Sequence, residues 1–142
     1  MTSETNWRTA TKIVRAADLE KTRIGPFGVA DATSLAFPRA GGTVFGTVTF
    51  QPNAKSGLHH HGRNEVAFYV LKGRSQICWG QRLEFAAEVG PGDFVHYAPF
   101  LPHQELNLDA SATLELVVIR TDDEYVRIGL DDVPVEHPET VF

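Results

Sequence analysis

The sequence predicts an all-β domain, an antiparallel sandwich or barrel. Two observations carry this. From Thr43 onward, short runs rich in Val, Thr, Phe and Tyr alternate with Gly- and Pro-bearing turns, which is the pattern of many short strands rather than of helices. No segment repeats its apolar residues at the 3.6-residue helical period. A third observation places one strand. In Thr113–Arg120, Leu114, Leu116 and Val118 share one face while Val117 and Ile119 occupy the other, and a strand apolar on both faces lies in the interior of a sheet.

In chain order, residues 1–42 read as an N-terminal arm with edge strands; 1–26 are polar and mixed with one edge strand, and Pro26, Pro38 and Gly41-Gly42 punctuate the stretch that follows. The barrel core is assigned to 43–120. Val44–Phe50 and Glu65–Leu71 are β-rich, the second closed by Lys72-Gly73. Ser75–Trp79 and Leu83–Val89 flank Gly80-Gln81-Arg82, a hairpin turn by composition. Gly90-Pro91-Gly92-Asp93 is a tight turn that feeds a strand over Phe94–Tyr97. His103–Leu108 and Thr113–Arg120 complete the set. Residues 121–142 are acidic, contain Pro134 and Pro138, and read as an extended tail packed on the outside or on a second subunit.

Composition sets limits. The 142 residues make one domain, large enough to fold without staples. The net charge of -5, from 13 basic and 18 acidic residues, argues against nucleic-acid binding, which needs a basic face. Cys78 is the single cysteine, so no intrachain disulfide exists. There is no signal-like opening and no apolar run approaching membrane-spanning length; a soluble, cytoplasmic protein without membrane attachment is expected.

Chemistry concentrates in His59-His60-His61-Gly62-Arg63-Asn64-Glu65. Residues two apart on a strand share a side, so His59 and His61 aim at one point and His60 points away. Glu65 has the same parity. Two imidazoles and a carboxylate suit a divalent ion such as zinc, iron or manganese. A second group follows: His96 and His103 flank the loop Pro99–Pro102. If that loop closes a hairpin in which Ala98 pairs with His103, His96 lies diagonally across at about 7–8 Å, close enough to share an ion. His60 and His137 are read as non-ligands, and Arg63 and Arg74 as solvated. Phe68, Trp79, Phe94, Phe100 and Leu101 are the candidate lining of an apolar pocket.

These residues resemble a known family. His59, His61, Glu65 and Tyr69-Val70-Leu71-Lys72-Gly73 resemble the first cupin motif; Pro91-Gly92-Asp93 followed by Pro99, Pro102, His103 and Asn107 resembles the second. The resemblance spans about 51–120. It implies a small antiparallel β-barrel or jelly roll with an interior metal, and ligands at His59, His61, Glu65 and His103. One spacing departs: seven residues separate Glu65 from Gly73, where the usual pattern has six. The reading therefore takes His96 as fourth ligand, beside His59, His61 and His103, and leaves Glu65 as the catalytic base. The ion is expected to be zinc, with iron or manganese as alternatives.

The texture His-His-Gly-Arg-Asn-Glu, Trp79-Gly80 and Pro-His-Gln-Glu-Leu-Asn over 102–107 is similar to the small cupins of aromatic polyketide pathways, the cyclases of the tetracenomycin and resistomycin type. That resemblance implies a metal-dependent cyclase acting on a poly-β-keto chain, which an acyl carrier protein could present, and a homodimer. An iron-dependent dioxygenase and a non-catalytic ligand-binding cupin are the alternatives.

Overall fold

The computed structural model describes residues 8, 13, 15–18, 20–23, 32–36, 43–121 and 126–142. Twelve strands are described: β1 (Glu20–Arg23), β2 (Ala32–Ala36), β3 (Thr43–Phe50), β4 (His59–His60), β5 (Val66–Lys72), β6 (Ser75–Trp79), β7 (Phe85–Val89), β8 (Phe94–Tyr97), β9 (His103–Asn107), β10 (Leu114–Thr121), β11 (Ile128–Gly129) and β12 (Glu139–Thr140). Among the described residues there is no α-helix, and so no helix long and apolar enough to cross a membrane. Two six-stranded sheets form, in the orders β1-β2-β3-β10-β5-β8 and β11-β4-β9-β6-β7-β12. Pairing is antiparallel except that β12 runs parallel to β7.

The predicted core strands form where the alternation placed them. On β5, Val66, Phe68 and Val70 face inward while Ala67, Tyr69 and Leu71 face out. On β10, Leu114 and Leu116 are fully buried, and the strand lies between β3 and β5 as its two apolar faces required. These side chains join Val48, Phe50, Ile77, Ala87 and Tyr97 in one core between the sheets. Burying each large aliphatic side chain contributes about 1.5–3 kcal/mol. The 90–93 turn closes as its composition predicts. Asp93 N–H donates to Gly90 O at 3.0 Å, the Asp93 carboxylate accepts from Gly90 N–H at 2.8 Å, and Gly92 takes the left-handed φ of +93°.

Asn107 secures the far end of β9. Fully buried, it donates through Nδ2 to Phe50 O, Gln51 O and Ala112 O, and its Oδ1 accepts from Asp109 N–H at 3.0 Å. Buried amides persist only when satisfied in this way, so one side chain ties β3, β9 and the turn before β10 together.

Two edge strands of the N-terminal segment, β1 and β2, extend the first sheet beyond β3. The tail packs on the second sheet, through β11 against β4 and β12 against β7. One expectation changes: β8 and β9 do not form a hairpin. β8 pairs with β5 in one sheet, and β9 pairs with β4 and β6 in the other. The loop between them crosses the sandwich, held by Phe100 N–H to Gly62 O at 2.7 Å and Gly80 N–H to Pro102 O at 3.0 Å. The crossing buries Tyr97 across the interior, face to face with His103 at 3.7 Å between ring centroids. A two-stranded ribbon would have left both rings on a surface.

Candidate metal centre

His59 and His103 are directly opposite across the β4–β9 pairing, and His61 follows two residues on. The His59 ring lies 4.3 Å from that of His103 and 4.8 Å from that of His61; His61 and His103 are 5.0 Å apart. One nitrogen from each of the three rings falls within 4.8 Å of the others. His59 and His103 are buried, and His61 is mostly so.

Each ring is fixed by a backbone carbonyl. His59 Nδ1 lies 2.8 Å from Gly57 O, His61 Nδ1 2.9 Å from Val126 O, and His103 Nδ1 2.9 Å from Leu101 O. A carbonyl only accepts, so all three Nδ1 atoms carry the proton. Each Nε2 then keeps its lone pair, the tautomer a metal ligand needs. His103 Nε2 is buried and has no hydrogen-bond partner, an expensive arrangement unless something binds it. His60 turns away, as parity predicts: its Nδ1 accepts from Gly62 N–H at 2.9 Å, and its ring lies against Phe100.

The electrostatics agree. Burial first, then the neighbouring His103 and Arg127, lower the His59 pKa from 6.5 to about 2. Burial, then His103, lowers His61 to about 4. Burial, helped by Arg127, lowers His103 to about 4 against the opposing bond to Leu101 O. All three are neutral at pH 7 and available as donors. Three neutral imidazoles on a rigid sheet fit a divalent zinc, iron or manganese ion.

Other predicted residues lie elsewhere. His96 is not brought to the cluster. It sits exposed on the outer face of β8, its Nε2 3.3 Å from Oε1 of Glu65, and both side chains are at least half exposed. The strand that carries it belongs to the opposite sheet from His103, so the diagonal contact the hairpin would have given does not form. Trp79, Phe94 and Leu101 do line a cavity of about 600 Å³, with Ile77, Val89 and Tyr97. Phe68 is in the core instead, 2% exposed, and Phe100 projects from the crossing loop. Tyr97 joins cavity and cluster, since it lines the first and stacks on His103 in the second.

Three residues at the centre were not singled out from sequence: Tyr97, Glu105 and Arg127. Glu105 Oε1 lies 3.9 Å from His103 Nε2, with the side chain 13% exposed. Burial pushes its carboxyl up, against the pull of His61 and Arg127. The Tyr97 hydroxyl and this carboxyl lie close enough to influence each other, though no well-formed hydrogen bond joins them. One signal was available for Glu105: it shares strand parity with His103 and Asn107.

The cupin-domain family model matches residues 46–120. The chain belongs to the cupin family. Among curated proteins, none matches it in sequence. Solved structures do. This cupin superimposes on the polyketide cyclase RemF from Streptomyces resistomycificus with a TM-score of 0.69 at 21% identity, over 87% of this chain and 89% of that one. It matches KdgF from Halomonas sp. with a TM-score of 0.65 at 14% identity, over 80% and 96% of the two chains. It also matches oxalate decarboxylase from Bacillus subtilis, with a TM-score of 0.66 at 17% identity over 80% of this chain and 30% of that one. At such identities the likenesses establish the fold, and function has to be argued from the site.

Proposed function

We propose that this cupin is a metal-dependent polyketide cyclase that closes a ring by regioselective intramolecular aldol-type condensation of a poly-β-keto chain in aromatic polyketide biosynthesis. The observation that carries the reading is the junction of two features at Tyr97: a three-histidine cluster whose nitrogens converge, and an aromatic-edged cavity of about 600 Å³. That volume is in the range that encloses a compact organic molecule. The likeness to RemF supports the same reading at the level of the fold.

A poly-β-keto chain carries several carbonyls, so the central difficulty is which carbons meet. Ile77, Trp79, Val89 and Leu101 present a fixed apolar wall, which selects a folded conformer and converts binding into orientation. The Trp79 ring lies 6.1 Å from that of Phe85 and 6.2 Å from that of Phe142. His59, His61 and His103 would hold the ion, with zinc the expected occupant. Bound there, it would supply Lewis acidity for the attacked carbonyl and for developing enolate charge. The buried histidines are neutral at pH 7, each with its one proton on Nδ1 against a backbone carbonyl, so Nε2 is left to face the ion. The substrate is expected as a free chain or as a thioester on an acyl carrier protein.

The test supplies a poly-β-keto thioester to the purified, metal-loaded protein and resolves the products by mass-coupled chromatography. One regioisomer should dominate, and Trp79→Ala should broaden the product set. A product distribution identical with and without protein would contradict the reading. Oxygen consumption with oxygen incorporated into the product would replace it with the dioxygenase.

A further inference from the structure

We propose that Glu105, from β9, is the fourth metal ligand of this cupin, in place of the first-motif carboxylate Glu65. The inference rests on the reading of His59, His61 and His103 as ligands and adds one residue to it.

Strand geometry puts Glu105 on the right side. Residues two apart on a strand share a face, and on β9 that face carries His103, Glu105 and Asn107, of which the first and last are fully buried. Glu105 turns its carboxylate toward the lone-pair side of His103, since it is Nε2, and not the carbonyl-bound Nδ1, that lies 3.9 Å from Oε1. The distance suits a shared ion. A zinc-like ion sits about 2.0–2.1 Å from an imidazole nitrogen and about 2.0–2.2 Å from a carboxylate oxygen. An imidazole nitrogen and a carboxylate oxygen on one ion can therefore stand at most about 4.3 Å apart, and 3.9 Å lies inside that limit. It is too long for a direct hydrogen bond, so no such bond explains why the two atoms face each other.

The surroundings fit a ligating carboxylate. Glu105 is mostly buried, its backbone N–H donates to Ser56 Oγ at 2.9 Å, and its carbonyl accepts from Ser56 N–H at 2.8 Å. The strand is thereby pinned at this residue. A buried carboxylate is costly unless it is paired or coordinates a metal, and His103 Nε2 beside it is a buried nitrogen with no hydrogen-bond partner. One divalent ion satisfies both atoms. Glu65 offers neither feature, being half exposed on the outer face of the other sheet and in contact with His96.

The experiment strips the protein with a chelator and titrates it with Zn²⁺ for wild type, Glu105→Gln and Glu65→Gln. The zinc-loaded wild type is then crystallised. Zn²⁺ affinity should fall by about tenfold or more in Glu105→Gln and stay within about twofold of wild type in Glu65→Gln. The crystal should show a Glu105 carboxylate oxygen within about 2.2 Å of the ion, which decides the matter even if Glu105→Gln does not fold. Unchanged affinity in Glu105→Gln, or a crystal in which Glu65, His96 or water takes the fourth position while Glu105 stands off, overturns the inference and leaves the three-histidine reading intact. A wild type that binds no Zn²⁺, Fe²⁺ or Mn²⁺ overturns both.

Discussion

Acidifying the metal-free protein should destabilise it through the three buried histidines. Their ordinary pKa of 6.5 is lowered to about 2 in His59 and to about 4 in His61 and His103. Below pH 6.5 the unfolded chain takes up protons at these positions and the folded one does not. Stability therefore rises with pH across that window and falls as pH drops toward the folded values. Moving from about pH 7.5 to about pH 5 costs about 2 kcal/mol for each histidine, or about 6 kcal/mol for three. Glu105 works in the opposite sense, because burial raises its pKa and the folded state then binds a proton the unfolded one has lost. It offsets part of the loss. What remains is a large fraction of the roughly 5–15 kcal/mol that holds a typical domain together. Urea denaturation of chelator-treated protein, followed by tryptophan fluorescence, measures it. His59→Gln should flatten the slope by about one proton per molecule, about 1.4 kcal/mol per pH unit. A urea midpoint that stays constant between about pH 7.5 and pH 5 would refute the argument, because it would mean that these imidazoles are as accessible to protons in the fold as outside it.

Three further outcomes are expected. Glu65→Gln and His96→Ala should each change stability by no more than about 1 kcal/mol in denaturation, since their contact is half exposed and screened by water. Gly73→Ala should cost more than about 1 kcal/mol, because Gly73 has φ of +89° and a Cβ there would lie 2.9 Å from Thr113 O; an unchanged melting temperature would count against the described turn. Light scattering should give a dimer of the 15.7 kDa chain, with Leu71 and Ile119 as exposed apolar side chains on the outer face of the first sheet, and a monomer at micromolar concentration would contradict it.

The strands of the core were legible because alternation is a local property: Val66, Phe68 and Val70 on β5, or Leu114 and Leu116 on β10, declare their face within a few residues. His59, His61 and His103 were legible for the same reason, aided by the two motifs. What sequence could not supply was the destination of the loop after Tyr97. Pro99 and Pro102 mark a turn equally well whether it folds back into a hairpin or crosses to the other sheet, and the assignment of His96 depended on the first. Glu105 is harder to read, because a glutamate in an alternating strand reads as solvent-facing. Only the burial of His103 and Asn107, on the same face, reveals that it points inward. Arg127 reaches the centre from a tail whose pairing with β4 is a tertiary event with no local signal.

The central claim is that His59, His61 and His103 hold one divalent ion through their Nε2 atoms. Elemental analysis of protein purified without added metal, beside a His59→Ala/His103→Ala double variant, tests it most directly. One ion per chain in the wild type, lost in the variant, is the predicted result. A wild-type protein that is metal-free as purified and takes up no zinc, iron or manganese when offered each would contradict the account.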